Sequence, residues 1–131
     1  MTITRDPNNP RLDQYRRKGH DTEPVEQQVV YLALSEEELA KGYLLPVRRK
    51  YLHKTCGGAT IMPLALAQTH ARDPWFYGGT YCCHCAMHCP LEKFRWDDGE
   101  PMSPRKWSQD QLAEVMRRKK QLEDGIENAR H

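Results

Sequence analysis

The sequence predicts a small α+β fold. Short antiparallel strands surround a compact core, one helix is inserted between them, and an amphipathic helix closes the chain. Three observations predict it. Two hook-like motifs, His53-x-x-Cys56-Gly57 and Cys82-x-x-Cys85-Ala86, sit beside short apolar runs that suit strands better than helices. Those runs are punctuated by Gly, Pro and Asp, the residues that end strands and make turns. The last segment carries Leu112, Val115, Leu122 and Ile126 at 3-4 spacing, the stripe of a helix with one apolar face.

At 131 residues the chain fits one domain with extensions. Its 38% hydrophobic and 29% charged residues favour a small core with polar surroundings. Residues 1–24 are rich in Asp, Asn, Pro and Arg and read as a flexible N-terminal arm, with a turn of helix around Leu12–Tyr15. Residues 25–104 form the α+β domain that carries both hooks, and 105–131 the C-terminal amphipathic helix.

Each element follows from local signals. Val29–Leu34 is β-prone and is the first expected strand. Ser35 with Glu38 three residues on makes a capping box, stapled by Leu34 and Leu39, for a helix of about two turns that Gly42 ends. Leu44–Leu52 reads as a strand leading into the first hook, and Ala59–Met62 as its return. Pro63 suits the first turn of a helix over Leu64–Ala71, stopped before Asp73-Pro74. Gly78-Gly79 is a turn. Leu91–Trp96 is a strand with Phe94 and Trp96 on one face, and Asp97-Asp98-Gly99 turns the chain. Ser108 is the expected N-cap of the last helix, with Gln111 at its third position and Trp107 stapling to Leu112. Glu114–Arg118, Lys119–Glu123 and Lys120–Asp124 are opposite charges four residues apart.

The hooks carry the chemistry. Two residues between ligands let one tight turn aim both side chains at a single ion, and a Gly after the second ligand, as at Gly57, lets backbone amides approach the sulfur. Two hooks close a tetrahedral set of one nitrogen and three sulfurs, His53, Cys56, Cys82 and Cys85, a composition that suits zinc. Cys85-x-x-His88 repeats the spacing, so His88 stands as an alternative to His53. Cys83 follows Cys82 directly and should point to the other side of the backbone. His84 reads as a surface residue and Cys89 as a small buried side chain, although Cys83, His88 and Cys89 together are three donors toward a second ion.

The paired hooks, each followed by a strand, resemble a zinc ribbon with a helix-bearing insertion between Cys56 and Cys82. The run from His53 through Trp96 is also similar to small zinc-ribbon-type proteins of phage and prophage genomes. The ribbon pattern more often has four cysteines, so His53 departs from it. The resemblance implies a structural metal and a binding role, with no catalytic residues to carry over.

Composition narrows the function further. The metalloprotease pattern of two His flanking Glu is missing, and so is the His-x-Glu that precedes Cys-x-x-Cys in nucleobase deaminases. Cys83 or Cys89 beside His84 or His88 is the remaining route to thiol catalysis. The expectation is a non-enzymatic, zinc-stabilised module that acts through protein contacts, in assembly or as an inhibitor or adaptor, or self-associates. Nucleic acid is the alternative partner, through Arg48, Arg49 and Lys50 just before the first hook. A net charge of only +2 gives that alternative little general support. Arg16-Arg17-Lys18 and Arg117-Arg118-Lys119-Lys120 are further short basic clusters with acids nearby. The first residues hold no apolar run and no stretch reaches membrane-span length, so no membrane partner and a cytoplasmic location are expected. In a reducing compartment, five cysteines point to metal rather than disulfides.

Overall fold

The computed structural model of the chain describes residues 2–12, 25–26 and 30–129, with 25–26 and 126–129 described by backbone alone. Residues 13–15 of the expected helical turn, Val29 of the first expected strand, the Arg16–Lys18 cluster and the Ile126 side chain lie outside this description.

The architecture is α+β. Strands β1 (Thr2–Thr4), β2 (Val25–Glu26) and β3 (Val30–Leu32) precede the one-turn helix α1 (Glu36–Leu39). Strands β4 (Lys50–His53) and β5 (Ala59–Ile61) form the first hairpin, followed by helix α2 (Leu64–Arg72). Strands β6 (Gly79–Cys82) and β7 (Met87–Pro90) form the second hairpin, and β8 (Phe94–Trp96) and helix α3 (Gln109–Ala129) complete the chain. The strands make three small sheets: β1 with β3 in parallel, β2-β7-β6 antiparallel, and β5-β4-β8 antiparallel.

Each hairpin thus belongs to a different sheet, and the core lies between them. In the β5-β4-β8 sheet, Tyr51, His53, Thr60, Phe94 and Trp96 face inward while Lys50, Ala59, Ile61 and Arg95 face solvent. Tyr51 packs edge-on against Phe94 and Trp96, with ring centroids 5.3 and 6.3 Å apart. Its hydroxyl donates to the Tyr81 carbonyl and accepts from Thr80 Oγ1 at 3.1 Å, so one side chain of the first hairpin ties down the second. Burial of rings of this size is the main favourable contribution to the fold, and truncating one to Ala costs about 3–5 kcal/mol.

Several elements differ from the sequence reading for identifiable reasons. Thr2–Thr4, within the aperiodic arm, pairs with β3, and Leu12 is buried in a 3₁₀ turn over Pro10–Leu12. Three-residue pairing of this kind rests on backbone hydrogen bonds and leaves no periodicity to read. The expected strand over Leu44–Leu52 shrinks to Lys50–His53, because the amides of Leu44 and Leu45 donate to Ala71 O at 2.9 and 3.2 Å. Leu91–Trp96 divides into a 3₁₀ turn over Leu91–Lys93 and the strand β8. Ser35 does cap α1, accepting from Glu38 N at 3.2 Å, but the helix lasts one turn before Gly42 at φ 107° redirects the chain.

Helix α3 starts as its sequence indicates, with Ser108 Oγ accepting from Gln111 N at 3.1 Å. It docks on its own domain. Val115 is buried, the Leu122 side chain covers Gly42, and Lys119 sits over the Trp75 ring at 5.8 Å. Trp107 packs against Trp75, with centroids 5.7 Å apart. Glu114 pairs with Arg117, while Arg118 donates to the Tyr43 carbonyl. Among the described residues, no helix is long and apolar enough to cross a membrane.

Candidate metal centre

The two hooks are built by the same local rule. His53 ends β4, and Cys56 lies three residues on in the turn before β5. Cys82 ends β6, and Cys85 holds the matching place before β7. In the first hook the amide of Gly57 donates to His53 O at 2.8 Å, and in the second the amide of Ala86 donates to Cys82 O at 2.8 Å. Both closing residues are left-handed, Gly57 at φ 72° and Ala86 at φ 57°. The turns also aim amides at sulfur: in the first hook Gly58 N donates to the second ligand, Cys56 Sγ, at 3.3 Å, as the Gly-bearing hook reading expects, and in the second Cys85 N donates to the first ligand, Cys82 Sγ, at 3.4 Å.

The fold brings the hooks together. Donor atoms of His53, Cys56, Cys82 and Cys85 all lie within 4.8 Å of one another and are placed to hold a metal ion. Cys56 Sγ is 3.6 Å from Cys82 Sγ across the gap between hairpins. His53 Nδ1 is 3.4 Å from Cys56 Sγ and 3.5 Å from Cys85 Sγ. Cys82 and His53 are buried, and Cys56 and Cys85 are half-buried. Phe94 stacks on the His53 imidazole at 4.7 Å and closes the inner side.

Electrostatics suit a cation. Burial, then Lys93, lowers the His53 pKa, which keeps the imidazole in the neutral form that donates to a metal. The Gly58 amide hydrogen bond lowers the Cys56 thiol, whereas hydrogen bonding with Cys56, then burial, pushes Cys85 up to about 12. Three thiols this close cannot all ionise unaided, and a divalent cation supplies the missing compensation.

The other candidates are placed elsewhere. His88 is buried between Tyr31 and Tyr81, whose rings lie 5.4 and 5.6 Å away, and is not among the four grouped donors. Cys83 does turn away from Cys82: its amide donates to Thr60 Oγ1 at 3.0 Å and its thiol to Ala59 O at 3.1 Å, latching the second hook to β5. Cys89 is buried in the core. His84 is exposed, yet its Cβ abuts Gly58, where an added Cβ would lie only 2.6 Å away. That contact, the Phe94 stack and the Thr60 latch were not legible in the sequence, since each joins segments whose proximity only the fold creates.

The basic run before the first hook is largely engaged. Arg48 pairs with Asp98 at 3.0 Å and Glu100 at 2.9 Å and lies over the Trp96 ring at 4.9 Å. Arg49 Nε donates to Met62 O at 3.0 Å, and Lys50 is exposed on the outer sheet face. Comparisons with protein-family models, curated proteins and solved structures find no match for this chain.

Proposed function

We propose that this chain is a non-enzymatic binding module whose fold is clamped by one zinc ion and which acts through protein–protein contacts. The carrying observation is the group of four donors within 4.8 Å of one another, the one such group among the described residues, drawn equally from two hairpins of different sheets. Zinc bound to thiolate at about 2.3 Å and to imidazole at about 2.0–2.1 Å has tetrahedral edges of about 3.8 Å between sulfurs and about 3.6 Å between sulfur and nitrogen. The separations here are 3.6 Å for Cys56–Cys82, and 3.4 and 3.5 Å from His53 to Cys56 and Cys85. A mixed thiolate–imidazole set of this shape favours zinc over harder divalent ions.

The same donor set supports a structural role. Four protein ligands fill a tetrahedron and leave no position for a reacting water. Among the described residues no carboxylate joins the group. His53 Nδ1, Cys56, Cys82 and Cys85 would hold the ion, and the ion would supply the cross-link between the sheets. Among the described residues no disulfide or ion pair joins the two hooks, and the Tyr51 hydroxyl and the Cys83 latch tie their hairpins by hydrogen bonds alone. The reading as a nucleic-acid binder through Arg48, Arg49 and Lys50 is weaker, because Asp98 and Glu100 already hold Arg48.

Elemental analysis after purification under reducing conditions tests the centre. One zinc per chain is expected, and a strong chelator should unfold the domain cooperatively. Metal below about half an equivalent, or a fold indifferent to the chelator, overturns the clamp.

A further inference from the structure

The outer face of the β5-β4-β8 sheet has a composition that the metal centre does not use. Strict alternation places Lys50, Leu52 and Lys54 outward on and just past β4, Ala59 and Ile61 on β5, and Arg95 on β8. Register then sets Lys50 beside Ile61, and Leu52 between Ala59 and Arg95. Just past these strands, Lys54 in the first-hook turn donates its amide to Lys93 O, at the end of the 3₁₀ turn, at 2.9 Å, which brings two more lysines to one end of the face. None of Lys50, Lys54, Lys93 and Arg95 makes an ion pair among the described residues. Asp97 lies opposite Lys50, its amide donating to Lys50 O at 3.2 Å, and the Lys54 ammonium donates to Glu92 O at 3.2 Å, while Asp98 and Glu100 are held by Arg48, so four basic groups still outnumber the acids on this face.

The apolar residues on this face are also unusual. Ile61 is 66% exposed, the most open of the large hydrophobic side chains described, and Leu52 beside Ala59 continues the patch. The aromatic rings of the same strands, Tyr51, Phe94 and Trp96, all point inward.

We infer that the outer face of the β5-β4-β8 sheet docks an acidic, leucine- or isoleucine-bearing segment of a partner protein, its carboxylates meeting Lys50, Lys54, Lys93 and Arg95 and its apolar side chains covering Ile61 and Leu52. Charge complementarity selects the acidic partner. The apolar centre selects protein over nucleic acid, since a phosphate backbone gains nothing from Ile61 and no ring on this face can stack a base. This inference rests on the reading of the chain as a protein-binding module and gives that module a partner chemistry.

The test uses the full metal-loaded chain and three probes: a synthetic peptide alternating Asp or Glu with Leu, a poly-Asp peptide of equal length, and single-stranded DNA. The alternating peptide should bind roughly ten-fold tighter than poly-Asp, and its affinity should fall with added salt. Ile61→Asp, and separately Arg95→Glu, should each weaken it roughly ten-fold. Both positions are exposed and lie outside the hooks, so metal content and melting temperature should hold. Equal binding of poly-Asp, tighter binding of DNA, or indifference to both variants would overturn the docking face. Metal content measured on the same samples separates the two failures. A metal-loaded chain without peptide preference removes only this inference, whereas a metal-free chain removes the clamp beneath it.

Discussion

Ala86 holds at φ 57° the turn position that Gly57 fills at φ 72°, so the two hooks share one backbone path but only one has the residue suited to it. A left-handed alanine costs roughly 1–2 kcal/mol relative to its right-handed form. Ala86→Gly should therefore stabilise the chain by about 0.5–1 kcal/mol, the strain relief being offset in part by a more flexible unfolded chain. Chemical denaturation of the metal-loaded protein measures this. Gly57→Ala should do the reverse by about 1 kcal/mol, and purely through the backbone, because no atom beyond its chain neighbours lies within 4 Å of the added Cβ.

Gly58 differs from Gly57, because space rather than conformation demands it. A Cβ there would meet His84 Cβ at 2.6 Å and Cys56 Sγ at 3.3 Å. Gly58→Ala should push the hooks apart, weaken metal retention and cost about 1–3 kcal/mol. Since the opposing atom is a Cβ, His84→Gly should restore part of the loss while His84→Ala should not. A double-mutant cycle on melting temperature and metal content decides it.

The donor set makes a sharp prediction among neighbouring residues. Cys82→Ser, Cys85→Ser and His53→Ala should each lose the metal and the tertiary signal with it. Cys83→Ser and His88→Gln should keep stoichiometric metal, because their side chains are committed to Ala59 O and to the Tyr31–Tyr81 gap. Metal lost from His88→Gln but kept by His53→Ala would reverse the assignment.

His70 gives the fold a pH dependence unrelated to metal. It is fully buried on α2 beside Trp96, its Nε2 makes no hydrogen bond among the described residues, and burial, then Arg48, lowers its pKa from 6.5 to about 4. The unfolded chain takes up this proton first, so the stabilisation is complete above about pH 6.5 and is lost as pH falls toward 4. The full effect is about 3 kcal/mol. Melting temperatures across that range should fall more steeply for the native chain than for His70→Leu, and parallel slopes would disprove it.

Much of the centre was legible because it is local. A hook needs only its own turn, and the spacings His53-x-x-Cys56 and Cys82-x-x-Cys85 specify two donors aimed the same way. That Cys83 does not share an ion with Cys82 is legible on the same ground, since adjacent residues in an extended chain point oppositely. The inserted helix over Leu64–Arg72 and the Ser35 and Ser108 caps were equally readable, because a capping hydroxyl needs a partner only three residues away.

What the sequence could not decide was any choice between equivalent local options. His53 and His88 have identical spacing to a cysteine, and the difference arises because β4 ends at the centre while β7 carries His88 between two tyrosines. The sequence offers Arg48 with Arg49 and Lys50 as a nucleic-acid contact, and only the fold shows the Asp98–Glu100 turn, fifty residues on, closing over it. The amphipathic stripe of α3 was plain, but its docking on Gly42 and Trp75 was not. By itself the sequence determined the donor types, their turns and the strand-prone runs, because these depend on residues within one turn of each other. The tertiary structure alone decided which donors meet, which charges are neutralised and which sheet face stays bare, because those outcomes depend on contacts whose partners are far apart along the chain.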